Sequence, residues 1–173
     1  MPNLTRFGEA SSISINQLYA RGLQKMSPKD IENVAARTGL PVMVKGIQTP
    51  EDALLTMGAG ASAVYVSNHG GRQLDGGPGS FDVLESIAEA VAGRVPVIFD
   101  SGVRRAQHVF KALASGADIV GICRPVMYAI SLGGSKGATS VFRYMNHELT
   151  MLMQLAGTRN IAEAKQTRLH GIR

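Results

Sequence analysis

The sequence has no tryptophan, a single cysteine, and aromatic side chains at only 5% of positions. The lone Cys123 excludes an internal disulfide and fits a reducing compartment. No apolar run approaches the roughly 20 residues that a membrane helix needs. The opening Met1-Pro2-Asn3-Leu4-Thr5-Arg6-Phe7-Gly8 lacks the apolar core of a secretory leader. The expectation is a soluble, cytoplasmic protein without a membrane partner. Charged residues are sparse at 18%, with a formal net charge of +5. The basic residues are scattered rather than clustered with aromatics, and zinc-finger and helix-turn-helix spacings are missing, so no nucleic-acid partner is expected. No pair of His, Cys or acidic residues has metal-ligand spacing, so no metal site is expected either.

What is present is 45% hydrophobic residues and 20 glycines in 173 positions. That is enough for one domain with a real core and too little for two ordinary ones. Residues 1–26 are weakly periodic and read as an arm, with a helical turn or two near Ile15 to Leu23. Ser27-Pro28-Lys29-Asp30 opens a helix with an N-cap, a first-position proline and an acid, and Gly39 closes it. Pro41-Val42-Met43-Val44-Lys45-Gly46-Ile47 reads as a buried strand, and Thr49-Pro50-Glu51-Asp52 opens the next helix. A short strand at Ala63-Val64-Tyr65-Val66 runs into the glycine-rich Ser67-Asn68-His69-Gly70-Gly71-Arg72-Gln73-Leu74-Asp75. Ser80 is expected to cap a helix. Val95-Pro96-Val97-Ile98-Phe99 forms a third strand, a helix through Val109 and Phe110 stops at Gly116, and Ala117 to Ile122 forms the fourth. Val141, Met145, Leu149, Leu152 and Met153 recur at helical spacing. Met145, Met151 and Met153 are assigned to the core. Asn160 to Glu163 starts a short last helix.

Four strands alternating with helices specify a parallel sheet covered by helices. Leu40-Pro41-Val42-Met43-Val44 followed by Gly60-Ala61-Ser62-Ala63-Val64 is echoed, about 55 residues on, by Val95-Pro96-Val97-Ile98-Phe99 and Gly116-Ala117-Asp118-Ile119-Val120. A repeat of two strand–helix units suits a (β/α)₈ barrel, whose inner layers draw on alternate strands. Such barrels take ~250 residues, so four strands supply half of one. A flavodoxin-like open sheet is disfavoured because no glycine-rich loop follows the first strand.

Polar residues at the C-terminal strand ends would then converge on one face. These are Lys45; Ser67 with His69 and Arg72; Asp100, Ser101 and Arg104; and Arg124. A histidine base beside an arginine suits acid–base work on a carboxylate-bearing ligand. Arg104, read as the start of a helix, and Arg124 suit a phosphate clamp of the kind found after the last two strands of barrels. His108 and His147 are expected to be ordinary helix residues and His170 a tail residue; Cys123 has no evident partner.

Ser67-Asn68-His69-Gly70-Gly71-Arg72-Gln73-Leu74-Asp75, Val44-Lys45-Gly46, Phe99-Asp100-Ser101-Gly102-Val103-Arg104 and Arg124-Pro125 together resemble the FMN-dependent α-hydroxy-acid oxidising enzymes. Pro78-Gly79-Ser80-Phe81-Asp82 and Met153-Gln154-Leu155-Ala156-Gly157-Thr158 look most like the bacterial L-lactate oxidases of that group. The resemblance covers nearly the whole chain from about residue 26, and residues 1–26 resemble the end of the family's mobile active-site loop. Residues 27–173 resemble its C-terminal half, with strands equivalent to the fifth to eighth. It implies FMN as cofactor, a small 2-hydroxy acid such as L-lactate as substrate, and O₂ as electron acceptor. His69 is implied as the proton acceptor, Arg72 as the carboxylate ligand, and Lys45 and Ser67 as flavin contacts. Asp100 would bind ribityl hydroxyls, while Ser101, Gly102, Val103, Arg104, Gly121 and Arg124 would serve the cofactor's phosphate end. The family generally has glycine where this chain has Cys123. Half of the family's site, including the carboxylate that orients the histidine, is missing. Two expectations follow: oxidase chemistry completed by self-association or by a complementary N-terminal half-barrel, or a catalytically incomplete half-barrel that self-associates or binds phosphate or FMN without turnover.

Overall fold

A computed structural model describes residues 26–171; the expected helical turns near Ile15 to Leu23, and the arm up to residue 25, lie outside the described residues. Helix α1 (Pro28–Thr38) opens with the expected cap. The Asp30 carboxylate accepts from both the backbone N–H (2.8 Å) and the hydroxyl (2.7 Å) of Ser27. Gly39 ends it in the left-handed conformation, φ 65°. Then follow β1 (Met43–Ile47), α2 (Pro50–Gly58), β2 (Ala63–Val66), a single 3₁₀ turn (His69–Gly71), α3 (Ser80–Val91) and β3 (Val97–Phe99). The chain continues through α4 (Ala106–Ala114), β4 (Ile119–Val120), α5 (Arg124–Leu155) and α6 (Ile161–Lys165).

The four strands form one sheet in the order β1-β2-β3-β4, every pair parallel. This is the expected α/β architecture of four adjacent strands of a barrel. Its internal repeat is visible in the bonding. Ser62 N–H donates to Val42 C=O at 2.8 Å, and Asp118 N–H donates to the repeat-related Val97 C=O at 2.7 Å. The outward face carries Val44, Val64, Val66, Val97 and Phe99 against Ala53, Leu84, Ile87 and Val91 of the helices. Val64, Val66, Leu84 and Ile87 are completely buried, and each such side chain contributes roughly 1.5–3 kcal/mol. The inward face is different. The in-register row Lys45, Tyr65, Ile98, Ile119 faces the barrel axis, and at the two edges Met43 and Ile119 are 51% and 54% exposed.

Several local expectations are corrected. The last strand is two residues rather than six, because β4 is an edge that β3 pairs on one side only. Ser80 is not the cap of α3; Gly79 holds that position. The Ser80 hydroxyl instead accepts the Asn68 N–H at 2.8 Å, fastening the His69 loop to the helix. Arg104 does not begin a helix, since α4 starts at Ala106. Met145 is buried, but Met151 is 49% exposed. Helix α5 is broken at Gly133 and Gly134, whose ψ angles of 18° and −141° leave the helical region and divide it into a short rim segment and a long one.

At Gly116, φ is +100° and an added Cβ would lie 2.5 Å from the Ala88 Cβ of α3. Gly116→Ala is therefore expected to destabilise the fold by about 1–3 kcal/mol through strain and overpacking, measured as a lower urea midpoint with unchanged m-value.

Candidate active site

The C-terminal strand ends enclose a cleft of about 510 Å³. Lys45, His69, Arg72, Asp100, Ser101, Gly102, Val103, Arg104, Gly121 and Arg124 all line it, and Ser67 lies completely buried beneath them. The structure thus brings the whole sequence-derived set to one place.

Strand geometry explains how. Lys45, the middle residue of β1, donates to Ser67 Oγ at 2.8 Å and pairs with Asp100 Oδ2 at 3.1 Å. Its ammonium also stands 4.9 Å from the centre of the Tyr65 ring, within cation–π range. Ser101 Oγ donates to Asp100 Oδ1 at 3.0 Å and lies 3.5 Å from Ser67 Oγ. Burial alone would raise the Asp100 pKa, but hydrogen bonds from Ser67, Lys45 and Ser101 and the lysine charge hold it below the ordinary carboxylate value. Tyr65 shows the opposite effect. Burial, and then the neighbouring Asp100 charge, push its hydroxyl up to about 12, so it stays a neutral donor across the physiological range.

His69 sits in the left-handed region, φ 56°, a strained choice for a side-chain-bearing residue. Its N–H donates to Ser67 Oγ at 3.1 Å, and its carbonyl accepts the Arg72 Nε at 3.1 Å. Gly70 N–H reaches both Asn68 Oδ1 (3.0 Å) and Ser101 Oγ (3.3 Å). The imidazole lies over Gly46, where an added Cβ would stand 2.7 Å from His69 Cε1. Among the described residues no carboxylate bonds that imidazole. Gly46 was not singled out in the sequence, although a glycine inside a strand signals a bulge or a close approach. It is both, because the β1–β2 register slips between Lys45 and Ile47.

At the opposite end, Ser101 (φ 81°) and Gly102 (φ 76°) turn the backbone towards the cleft. Gly121 is equally constrained, since a Cβ there would meet the Tyr65 hydroxyl at 2.7 Å and the Asp100 Cβ at 3.3 Å. Arg104 and Arg124 are exposed at this end. The start of α4 is already satisfied. His108 Nδ1 accepts the Arg104 N–H at 3.1 Å, and Glu148 Oε2 accepts the Ala106 N–H at 2.8 Å while pairing with Arg105. His108 and Glu148 are thus positional residues that the sequence did not reveal. Any anion here meets the two arginines and the 102–104 backbone rather than the first turn of α4. Cys123, where the resemblance implies glycine, has φ −112°, which tolerates a side chain, and it lines the cleft.

The family model for FMN-dependent dehydrogenases matches residues 4–171. The chain belongs to that family. It is 58% identical to an L-lactate oxidase of Lentilactobacillus hilgardii over its full length, covering 47% of that protein. An L-lactate oxidase of Streptococcus iniae is 56% identical over 90% of the chain and 39% of its own length. Among solved structures, a lactate oxidase of Pediococcus acidilactici superposes with a TM-score of 0.85 at 55% identity, over 93% of this chain and 47% of that one. A mandelate oxidase superposes at 0.79 and 40% identity, over 82% of this chain and 43% of its own. The chain therefore spans less than half the length of each of these four relatives. No described helix is long and apolar enough to cross a membrane.

Two outcomes are expected from this geometry. Gly46→Ala should displace the His69 imidazole, visible as a shift of its ring resonances in NMR, with a stability loss of about 1–3 kcal/mol. Asp100, with a folded pKa below its ordinary value of 3.8, contributes stability that is present above that value and is lost as pH falls through the folded pKa. Asp100→Asn should therefore flatten the acid limb of the urea midpoint against pH, and an unchanged limb would refute the assignment.

Proposed function

We propose that this chain contributes the cofactor-phosphate site and the catalytic His/Arg pair of an FMN-dependent oxidase of L-lactate or a similar 2-hydroxy acid. The observation that carries the reading is the convergence of His69, Arg72, Lys45 and the Arg104/Arg124 pair on one cleft, in a chain 58% identical to an L-lactate oxidase. The residues suit FMN. Two arginines and a left-handed turn at 101–102 favour a phosphate, Gly121 lets the Tyr65 hydroxyl and Asp100 keep their places at the cleft, and Asp100 offers a carboxylate to ribityl hydroxyls.

When bound, FMN would supply two-electron chemistry at the substrate α-carbon, with O₂ as the terminal acceptor. The rest falls to the chain. Arg72, whose Nε is committed to the His69 carbonyl, keeps its two terminal nitrogens for a bidentate grip on the substrate carboxylate. His69 Nε2 or Nδ1 takes the α-hydroxyl proton. With FMN bound, the positive charge of Lys45 would stabilise the negative charge that reduction places on the flavin. Ser67 holds that lysine in place. A single cysteine favours a reducing, cytoplasmic setting.

A second reading has its own support. Among the described residues His69 bonds no carboxylate, and Met43 and Ile119 at the two sheet edges are half exposed, so the chain alone holds FMN without turnover until the rim is completed.

FMN titration with flavin absorbance and fluorescence tests the cofactor site. FMN should bind at least ten times more tightly than riboflavin, and Arg124→Ala should remove most of that difference, as expected for charge-assisted hydrogen bonds of roughly 1.5–3 kcal/mol. Equal affinity for the two flavins would overturn the phosphate assignment. In an assembly with a completed rim, His69→Gln should lower lactate-dependent peroxide formation by about 10²–10⁴-fold while flavin content stays unchanged.

A further inference from the structure

Lys45 is the one long flexible side chain in the inward row of the sheet, and its ammonium is held at three points. Two are oxygens, Ser67 Oγ at 2.8 Å and Asp100 Oδ2 at 3.1 Å. The third is the face of the Tyr65 ring, whose centroid is 4.9 Å from Nζ. That contact is built into the backbone. Lys45 and Tyr65 are an in-register pair on adjacent parallel strands, so their side chains rise from the same face roughly 4.8 Å apart. The row continues with Ile98 and Ile119, so within it Tyr65 alone offers a π-face. The far end of the ring is fixed as well. Its hydroxyl reaches across β3 into the space left by Gly121, where an added Cβ would meet the hydroxyl at 2.7 Å and Asp100 Cβ at 3.3 Å. The phenol therefore lies beside the carboxylate that pairs with Lys45, and the charge of that carboxylate helps to keep it protonated.

The carboxylate and the ring act on the lysine differently. A carboxylate holds an ammonium by cancelling its charge, whereas an aromatic face holds it through the ring quadrupole and leaves the positive charge in place. Lysine carries a strongly hydrated head on a flexible four-carbon stem, and the Lys45 side chain is 38% exposed. Without the ring, its head is free to turn to solvent or to close on Asp100, and either movement weakens the positive field in the cleft. We infer that Tyr65 is a positioning residue: its ring holds the Lys45 ammonium beside Asp100 without neutralising it, and through Lys45 it raises the reduction potential of a flavin in the cleft. The placement rests on geometry alone; the effect on potential rests on the reading of Lys45 as a flavin contact.

Proton NMR of the chain without FMN tests the placement. Ring currents shift protons above an aromatic face upfield, so the Lys45 ε-methylene signal should lie upfield of those of the other lysines. It should stay there in Tyr65→Phe, which keeps the ring, and join the others in Tyr65→Leu. An unshifted Lys45 signal in the unaltered chain overturns the inference, and that measurement needs no variant to fold. Redox titration of the FMN-loaded chain tests the consequence. Tyr65→Leu should lower the equilibrium constant for flavin reduction roughly three- to thirtyfold, the range of a cation–π contact, which is about 15–45 mV for a two-electron couple. Tyr65→Phe should stay within about twofold of the unaltered chain. A potential that falls equally in both variants, or in neither, overturns the role assigned to the ring. Failure of all three proteins to take up FMN counts against the cofactor reading and with it the effect on potential, while the lysine signal still decides the placement.

Discussion

One buried hydroxyl organises the cleft. Ser67 Oγ accepts the Lys45 ammonium and the His69 N–H, and it stands within contact of Ser101. Side chains from three neighbouring strands and the loops after them therefore meet on a single oxygen with no exposure to solvent. A hydroxyl has two acceptor positions and one donor. Here the acceptors take two hydrogens, leaving the donor for the Asp100–Ser101 side. The placement of the base, of the cation and of the carboxylate is thus coupled. Such shared networks are worth more than the sum of their pairs, and they cost most when one member is removed.

The left-handed residues supply the rest of the geometry. His69 and Ser101 both bear side chains at positive φ, and each has its strain offset by hydrogen bonds to this cluster. Gly46 and Gly121 do the complementary job of keeping atoms out: one leaves room for the imidazole and the other for the Tyr65 hydroxyl. The cleft is shaped as much by those two missing side chains as by the charged ones.

Much of this was legible in the sequence because period and punctuation are local. Ser27-Pro28 and Thr49-Pro50 mark helix starts, Gly39 marks a helix end, and the repeat of Leu40-Pro41 in Val95-Pro96 gives the strand order. The string from Ser67 to Asp75 gave the site. What escaped depends on contacts between residues far apart in the chain. The bond from Asn68 to Ser80 moved a cap by one position. Glu148, on α5, closes the start of α4 from 42 residues away, and no pattern around Arg104 announces that. The brevity of β4 follows from having a neighbour on one side only, which is a property of the sheet rather than of the Ala117 to Ile122 segment.

The break at Gly133 and Gly134 has a further consequence. It leaves Arg124 on a short rim segment, mechanically separate from the long part of α5 that carries Glu148 and packs on α4. Grip on an anion and cohesion of the outer layer are thereby decoupled. A substitution on residues 124–132 can retune the first without disturbing the second, so ligand affinity in this scaffold can drift while thermal stability stays fixed.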